Sequence, residues 1–470
     1  MGKHLPASPL MHPVSGSLTL SSPLQSDPGP PVLLQATALA CFIFPANMIL
    51  GPFGAAGYVA HILALLVMLL WLASVALGLH RTLKFDHPGR IAVAALVVVS
   101  CMAYAAMYAG ISGPSSVTTR AAADRWMLLM AASFGIVLMT TETIRTVDSA
   151  MIMVRTVLRG AVFCSIVAVI QFVTHADPMV WIQNMMPGFT NNGGNQPFQE
   201  RGSFLRVAGS TFHPIELGVI ASMLVPLSLW RAMYDSTGQK WMHWAGTGLL
   251  IFAVAATVSR SGMVGIATVA LVYIPFMPAR ARQWAVLGFV GAAVALFVAV
   301  PGLMATLFGT ATAGTADTSI TARLQDFPRV EAMVSARPWT GIGPGAYLAP
   351  NAIEVLDNQY LKTMVEMGIP GFVALLAYMV VPGAAAWIAA LYAKDEQLKA
   401  FSGALAAACL VAAPSTAAFD LLGFPVIALV YPFCVGLSGV AWLMVARERR
   451  VLVSVKKQHN IAIGVPERQA

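Results

Sequence analysis

The sequence predicts an all-α fold: a polytopic integral membrane protein of about 12 transmembrane helices, with a large outer-face loop carrying short helices. Three observations carry that reading. Of the 470 residues, 58% are hydrophobic. Only 10% are charged, against roughly 25% in ordinary soluble domains. The apolar residues also gather in runs of the length that crosses a bilayer, about 20 residues at about 1.5 Å rise each.

Taken in order, residues 1–31 are rich in Ser and Pro and have no apolar stretch ahead of a small-residue cleavage site. They read as a disordered cytoplasmic tail rather than a signal peptide. A membrane domain over 32–446 follows. Its apolar runs lie roughly at 33–52, 56–79, 90–110, 124–141, 155–175, 213–233, 242–259, 262–278, 283–304, 368–392, 400–418 and 422–446. Gly51-Pro52 splits the first two, and the eighth is short. Residues 447–470 form a basic cytoplasmic tail. Cys41, Cys101, Cys164, Cys409 and Cys434 all fall inside apolar runs and read as small core residues, not disulfides or metal ligands.

Charge fixes the expected orientation. With the N-terminus in the cytoplasm and alternating spans, 19 of the 28 Lys and Arg fall on the cytoplasmic side. This positive-inside bias places both termini in the cytoplasm of an inner (plasma) membrane protein. It also accounts for the net charge of +8 without nucleic acid as a partner. Two outer loops are long, about 176–212 and 305–367, and long loops in compact proteins usually carry function. No internal repeat is evident, which weakens a transporter built from paired halves.

Nine basic residues stay outside against the trend: Arg120, Arg125, Arg201, Arg206, Arg260, Arg323, Arg329, Arg337 and Lys362. Arginine offers a planar, permanently charged fork that suits phosphate oxygens; the plainer role is contact with lipid head groups. Arg260, in "ATVSRSGMVG", lies between two apolar runs, where a charge is costly and usually functional. "RVAGSTFHPIELG" (206–218) joins Arg206, His213 and Glu216 at the start of the sixth run. His213 and Glu216 share a helix face and could bind substrate or carry a proton. Equally, His213-Pro214 could simply begin the helix, with Glu216 favoured by its dipole. "TARLQDFPRVEAMVSARPWTGIGPGAY" (321–347) reads as an amphipathic surface helix bearing Arg323, then a Gly-rich turn. That turn lacks the strand before and helix after that a nucleotide fingerprint needs. There is no Walker A motif, no Asp-x-Asp pair and no His/Cys cluster with metal spacing, so no cofactor or metal is expected.

"LDNQYLKTMVEMGIPGF" (356–372) then sets Asp357, Asn358, Gln359 and Tyr360 at the lip of an apolar run. Asp357 could cap the helix or belong to a working site.

In this order the four motifs resemble those of the O-antigen ligase and polysaccharide polymerase superfamily. The stretch 356–372 resembles its His-Asn-x-Tyr-Leu…Gly-x-x-Gly signature through Asn358, Tyr360, Leu361, Gly368 and Gly371. The likeness covers roughly residues 200–375 by motif. It implies an outer-face transferase whose donor is a glycan on a polyprenyl diphosphate. An acceptor hydroxyl attacks the anomeric carbon, the lipid diphosphate leaves with inversion, and Arg206, Arg260 and Arg323 neutralise it without metal. Asn358, Tyr360, His213 and Glu216 would bind substrate. Where the ligases carry His, this chain has Asp357, a carboxylate of ordinary pKa about 3.9 that can accept the hydroxyl proton late. That departure tilts the expectation toward a polymerase of O-antigen or exopolysaccharide repeat units. The partners implied are the lipid-linked oligosaccharide, membrane lipid and a chain-length regulator protein. The rival readings are a ligase delivering finished glycan to lipid or protein, and a polysaccharide flippase. A flippase should carry charges at mid-membrane, whereas these cluster at the ends of the runs.

Overall fold

The computed structural model describes residues 29–79, 82, 87–193, 198–201, 204–299, 318–349, 351 and 354–462. In chain order the long elements are α1 (Val32–Ile43), β1 (Met48–Leu50), α2 (Val59–Ala76), α3 (Pro88–Tyr108), α4 (Val117–Thr143) and α5 (Val147–Thr174). Next come α6 (Met179–Asn184), β2 (Phe189–Asn191), β3 (Phe198–Arg201), β4 (Phe204–Val207), α7 (Pro214–Tyr234), α8 (Lys240–Ala256) and α9 (Arg260–Tyr273). The chain ends with α10 (Ala279–Ala299), α11 (Thr318–Ala336), α12 (Gln359–Tyr392), α13 (Glu396–Thr416) and α14 (Pro425–Ala462).

Eight of these helices, namely α2, α3, α4, α5, α7, α12, α13 and α14, are long and apolar enough to cross a membrane. The chain is therefore a multi-pass membrane protein. About 12 spans are expected from the sequence; among the described residues eight helices meet the length and hydropathy of a span, and α1, α8, α9 and α10 cover the other expected runs. Pro45 lacks an N–H and forces Phe44 into extended backbone, so α1 stops after 12 residues. The chain then forms β1 and a 3-10 turn over Gly51–Gly57 where a span is expected. Helix α8 has 17 residues and α9 has 14. Side chains of α10 from 292 on lie outside the described residues.

The fold is mainly but not wholly helical. β1 pairs antiparallel with β2, Ile49 opposite Thr190, and β3 with β4, Gln199 opposite Arg206. The segment 176–212, expected to lie outside, thus carries one short helix and three strands among its described residues. In the second segment, α11 is 19 residues long rather than a short helix, and 301–317 lie outside the described residues. The expected N-terminal tail lies outside them through residue 28. The expected basic tail is in large part helix, since α14 continues to Ala462. Four cysteines are buried as expected, but Cys101 is exposed on α3.

Burial separates centre from rim. The apolar windows of α14, α7 and α13 are 89%, 83% and 78% buried, against 22% for α2. Helix α7 packs on α8, α9 and α13, while α14 packs on α4 and α12. Small residues permit this: α13 reads GALAAACLVAA over 403–413, and small side chains let helix backbones approach closely without a hydrophobic drive in lipid.

Candidate active site

Four helices begin together at one end of the bundle. α7 is capped by His213, α9 follows Ser259, α12 is capped by Asn358, and α14 starts at Pro425. Glu216, wholly buried in the first turn of α7, ties two of these starts. One carboxylate oxygen accepts from the Phe212 N–H at 2.8 Å, the other from Val426 and Ile427 of α14 at 2.8 and 2.9 Å. The Gln359 side chain accepts from the Leu422 N–H at 2.9 Å, joining the start of α12 to the same place. The Phe424 ring stands edge-on to His213 and Phe212, with centroids 5.6 and 6.0 Å away. The α8–α9 turn completes the cluster, since Gly218 of α7 faces Thr257 and Ser259. Helix N-termini carry partial positive charge, part of which Glu216 and the caps His213 and Asn358 already answer.

The α8–α9 turn is strained. Val258 sits at φ 44°, a left-handed backbone that a β-branched residue rarely adopts and that costs about 1–3 kcal/mol. Arg206 of β4 holds the turn, its Nε donating to the Thr257 carbonyl at 2.7 Å. Arg206 is buried, and the half-buried Arg260 follows three residues after the gripped carbonyl. The structure therefore brings Arg206, Arg260, His213 and Glu216 together from segments that the sequence separates. Arg323 lies on α11, and its side chain is outside the described residues.

His213 is a neutral donor here. Burial, then the Arg206 charge, lowers its pKa from 6.5 to about 4. Its Nδ1 accepts from the Ile215 N–H at 3.0 Å. A neutral imidazole that accepts at Nδ1 carries its proton on Nε2. His213 can thus offer an N–H to a ligand but has no lone pair left for a base.

At the start of α12 one of the two roles left open for Asp357 falls to its neighbour. Asp357 is not the cap. Asn358 is, its Oδ1 accepting from Tyr360 N at 3.0 Å and Leu361 N at 3.3 Å. Asp357 is exposed in the extended residues just before it. The Tyr360 hydroxyl donates to the Ala413 carbonyl at 3.0 Å. Thus Glu216, Asn358 and Tyr360, expected as substrate ligands, all spend polar atoms on the scaffold.

The "GIGPG" turn is part of that scaffold too. Helix α12 breaks at Gly368 (φ 68°), and the Ile369 N–H reaches the Pro338 carbonyl at 2.8 Å. Ile342 and Gly343 donate to the Val365 and Glu366 carbonyls. A side chain at Gly368 would strike Pro338. The turn therefore locks the loop end of α11 against the broken start of α12.

Some of the nine expected outer cations serve structure. Arg329 pairs with Asp326 at 2.6 Å, and Arg120 bonds Ser115 and lies over the Tyr108 ring. Lys362 pairs with Asp420 at 2.6 Å, with the fully buried Glu366 one turn further along. The Lys362–Asp420 pair escaped the sequence reading, because Asp420 is 58 residues away and enters only through the α13–α14 connection.

Residues 245–376 match the family described as O-antigen ligase. The matched segment runs from α8 into α12 and includes Arg260, Arg323, Asp357, Asn358 and Tyr360. No curated protein matches the chain. The match supports the ligase and polymerase superfamily, and with it a membrane glycan-transfer enzyme of that kind.

Proposed function

We propose that this membrane glycan-transfer enzyme works at the outer face of the plasma membrane, with both termini in the cytoplasm. It joins oligosaccharide repeat units carried on polyprenyl diphosphate into a surface polysaccharide. One observation carries the reading: the starts of α7, α9, α12 and α14 gather at one end of the bundle, where Arg206 grips the strained turn just ahead of Arg260.

The donor diphosphate lies against the helix starts, with Arg260, Arg206 and Arg323 balancing its charge. The acceptor hydroxyl oxygen attacks the anomeric carbon from the face opposite the phosphate. The new C–O bond forms as the bond to the diphosphate breaks, and the electron pair leaves on the diphosphate. The hydroxyl proton passes to the Asp357 carboxylate, and the anomeric configuration inverts. Charge stabilisation at fixed donors is usually the largest catalytic contribution, and the helix starts need no reorganisation to supply it. Geometry favours Asp357 as the proton acceptor over its neighbours, because Glu216 holds three backbone N–H groups and the Nδ1 lone pair of His213 is taken.

The second reading is a ligase that delivers finished glycan to lipid or protein, favoured by the matched family's description. The test is purified protein in nanodiscs with polyprenyl-diphosphate repeat unit as sole substrate. A ladder of lipid-linked oligomers, rising with a chain-length regulator protein, supports polymerisation. Product only on adding a lipid or protein acceptor turns the reading to a ligase. Arg260→Ala should reduce either product about 10²–10³-fold, and Arg260→Lys should rescue poorly because the fork is lost. Full activity in both variants would overturn the diphosphate site.

A further inference from the structure

Beside the candidate active site lies a cavity of about 180 Å³. Among its walls are Tyr58, His61, Arg125, Trp126, Asn192 and Phe212. By the rule of about 10–15 Å³ per water it holds on the order of ten waters, the bulk of one sugar ring. It adjoins the site directly: Leu422, bonded to Gln359 two residues after Asp357, forms part of its wall, and the Phe212 N–H is held by Glu216.

The lining has a particular chemistry. The polar ends of its aromatic residues point elsewhere. The Tyr58 hydroxyl donates to the Cys41 carbonyl at 2.8 Å, and the Trp126 indole N–H to Ser100 at 3.0 Å. Their rings are left as apolar wall. Among the described residues Arg125 has no hydrogen bond or ion pair, and the turn at Gly54, held at φ 54°, folds over its guanidinium. His61 is 7% exposed, and its Nε2 is buried with no partner. A half-buried guanidinium and an orphaned imidazole nitrogen are each costly unless a ligand answers them.

We propose that this cavity binds one carboxylate-bearing sugar, a uronate, of the glycan chain. Arg125 takes the carboxylate with its planar fork, His61 Nε2 and Asn192 meet hydroxyls, and Trp126 and Tyr58 cover the ring's C–H face. One cation in the cavity matches one carboxylate better than a doubly charged phosphate. The inference deepens the reading given above by naming the sugar class recognised next to the transfer site.

The test reads binding, not transfer, so it stands apart from the catalytic reading. Full-length protein in nanodiscs is studied by saturation-transfer NMR with glucuronate, with glucose, and with inorganic phosphate as competitor. Glucuronate should bind at least about tenfold more tightly than glucose, the range of one charged hydrogen-bonded pair. Arg125→Gln should erase that difference, Arg125→Lys should keep part of it, and Arg337→Gln should leave it intact. If Arg125→Gln fails to fold, Ala122→Phe fills the same cavity without touching the charge and should abolish glucuronate binding. Equal binding of glucose and glucuronate, an Arg125→Gln variant or a folded Ala122→Phe variant that binds as wild type, or no binding at all would overturn the proposal. Displacement of glucuronate by phosphate at equal concentration would also overturn it, in favour of a phosphate or lipid head-group site.

Discussion

Replacing Asp357 by Asn separates the proposed chemistry from helix capping because Asn358, not Asp357, caps α12. Both cap bonds of α12 end on Asn358 Oδ1. Asp357→Asn therefore leaves the helix start untouched, and an exposed substitution of this kind changes stability within about 0.5 kcal/mol. Asn358→Ala removes the one acceptor of two N–H groups and should cost about 0.5–2 kcal/mol. Activity should show the opposite order. Loss of a proton acceptor lowers the rate about 10²–10⁴-fold, or about 3–5 kcal/mol in the barrier. Asp357→His should retain measurable activity, falling below about pH 6 to 7 as the imidazole charges. The assay pairs a thermal unfolding scan with gel analysis of oligomers made from polyprenyl-diphosphate repeat unit. The expected pattern is Asp357→Asn stable and inactive, Asp357→His partly active, and Asn358→Ala less stable with residual activity. A fully active Asp357→Asn variant would refute the reasoning, as would one whose inactivity comes with a large fall in unfolding temperature.

Three further outcomes follow from the geometry. Glu216→Gln keeps one carbonyl oxygen but turns an amide N–H toward a buried backbone donor, so it should destabilise by about 1–3 kcal/mol; an unchanged unfolding midpoint would contradict the clamp. Because the folded pKa of His213 lies near 4, below its ordinary 6.5, the unfolded chain binds the proton first. Stability should fall as pH drops from about 6.5 toward 4, and His213→Asn, which can still cap, should flatten that fall; identical pH curves for both proteins would count against it. Reporter domains active only outside the cytoplasm should give signal when fused at positions 190 and 330, and strong signal at 85 or 235 would invert the topology.

What the sequence by itself determined was whatever depends on counting along the chain. Apolar length gave about 12 runs, and eight of them correspond, among the described residues, to helices long and apolar enough to cross a membrane, because backbone hydrogen bonds in lipid must close within each segment. Motif order pointed to the family that residues 245–376 match. Local features set individual boundaries. Pro45 ended α1 early, and one residue decided whether Asp357 or Asn358 turned toward the N–H groups of α12. Only the tertiary structure decided which polar atoms remain available. Glu216 lost both oxygens to α14, more than 200 residues away, and to its own helix start. Lys362 paired its charge with Asp420, while Arg125 and His61 were left facing a cavity. Those outcomes turn on partners brought close by packing, and no spacing along the chain encodes them.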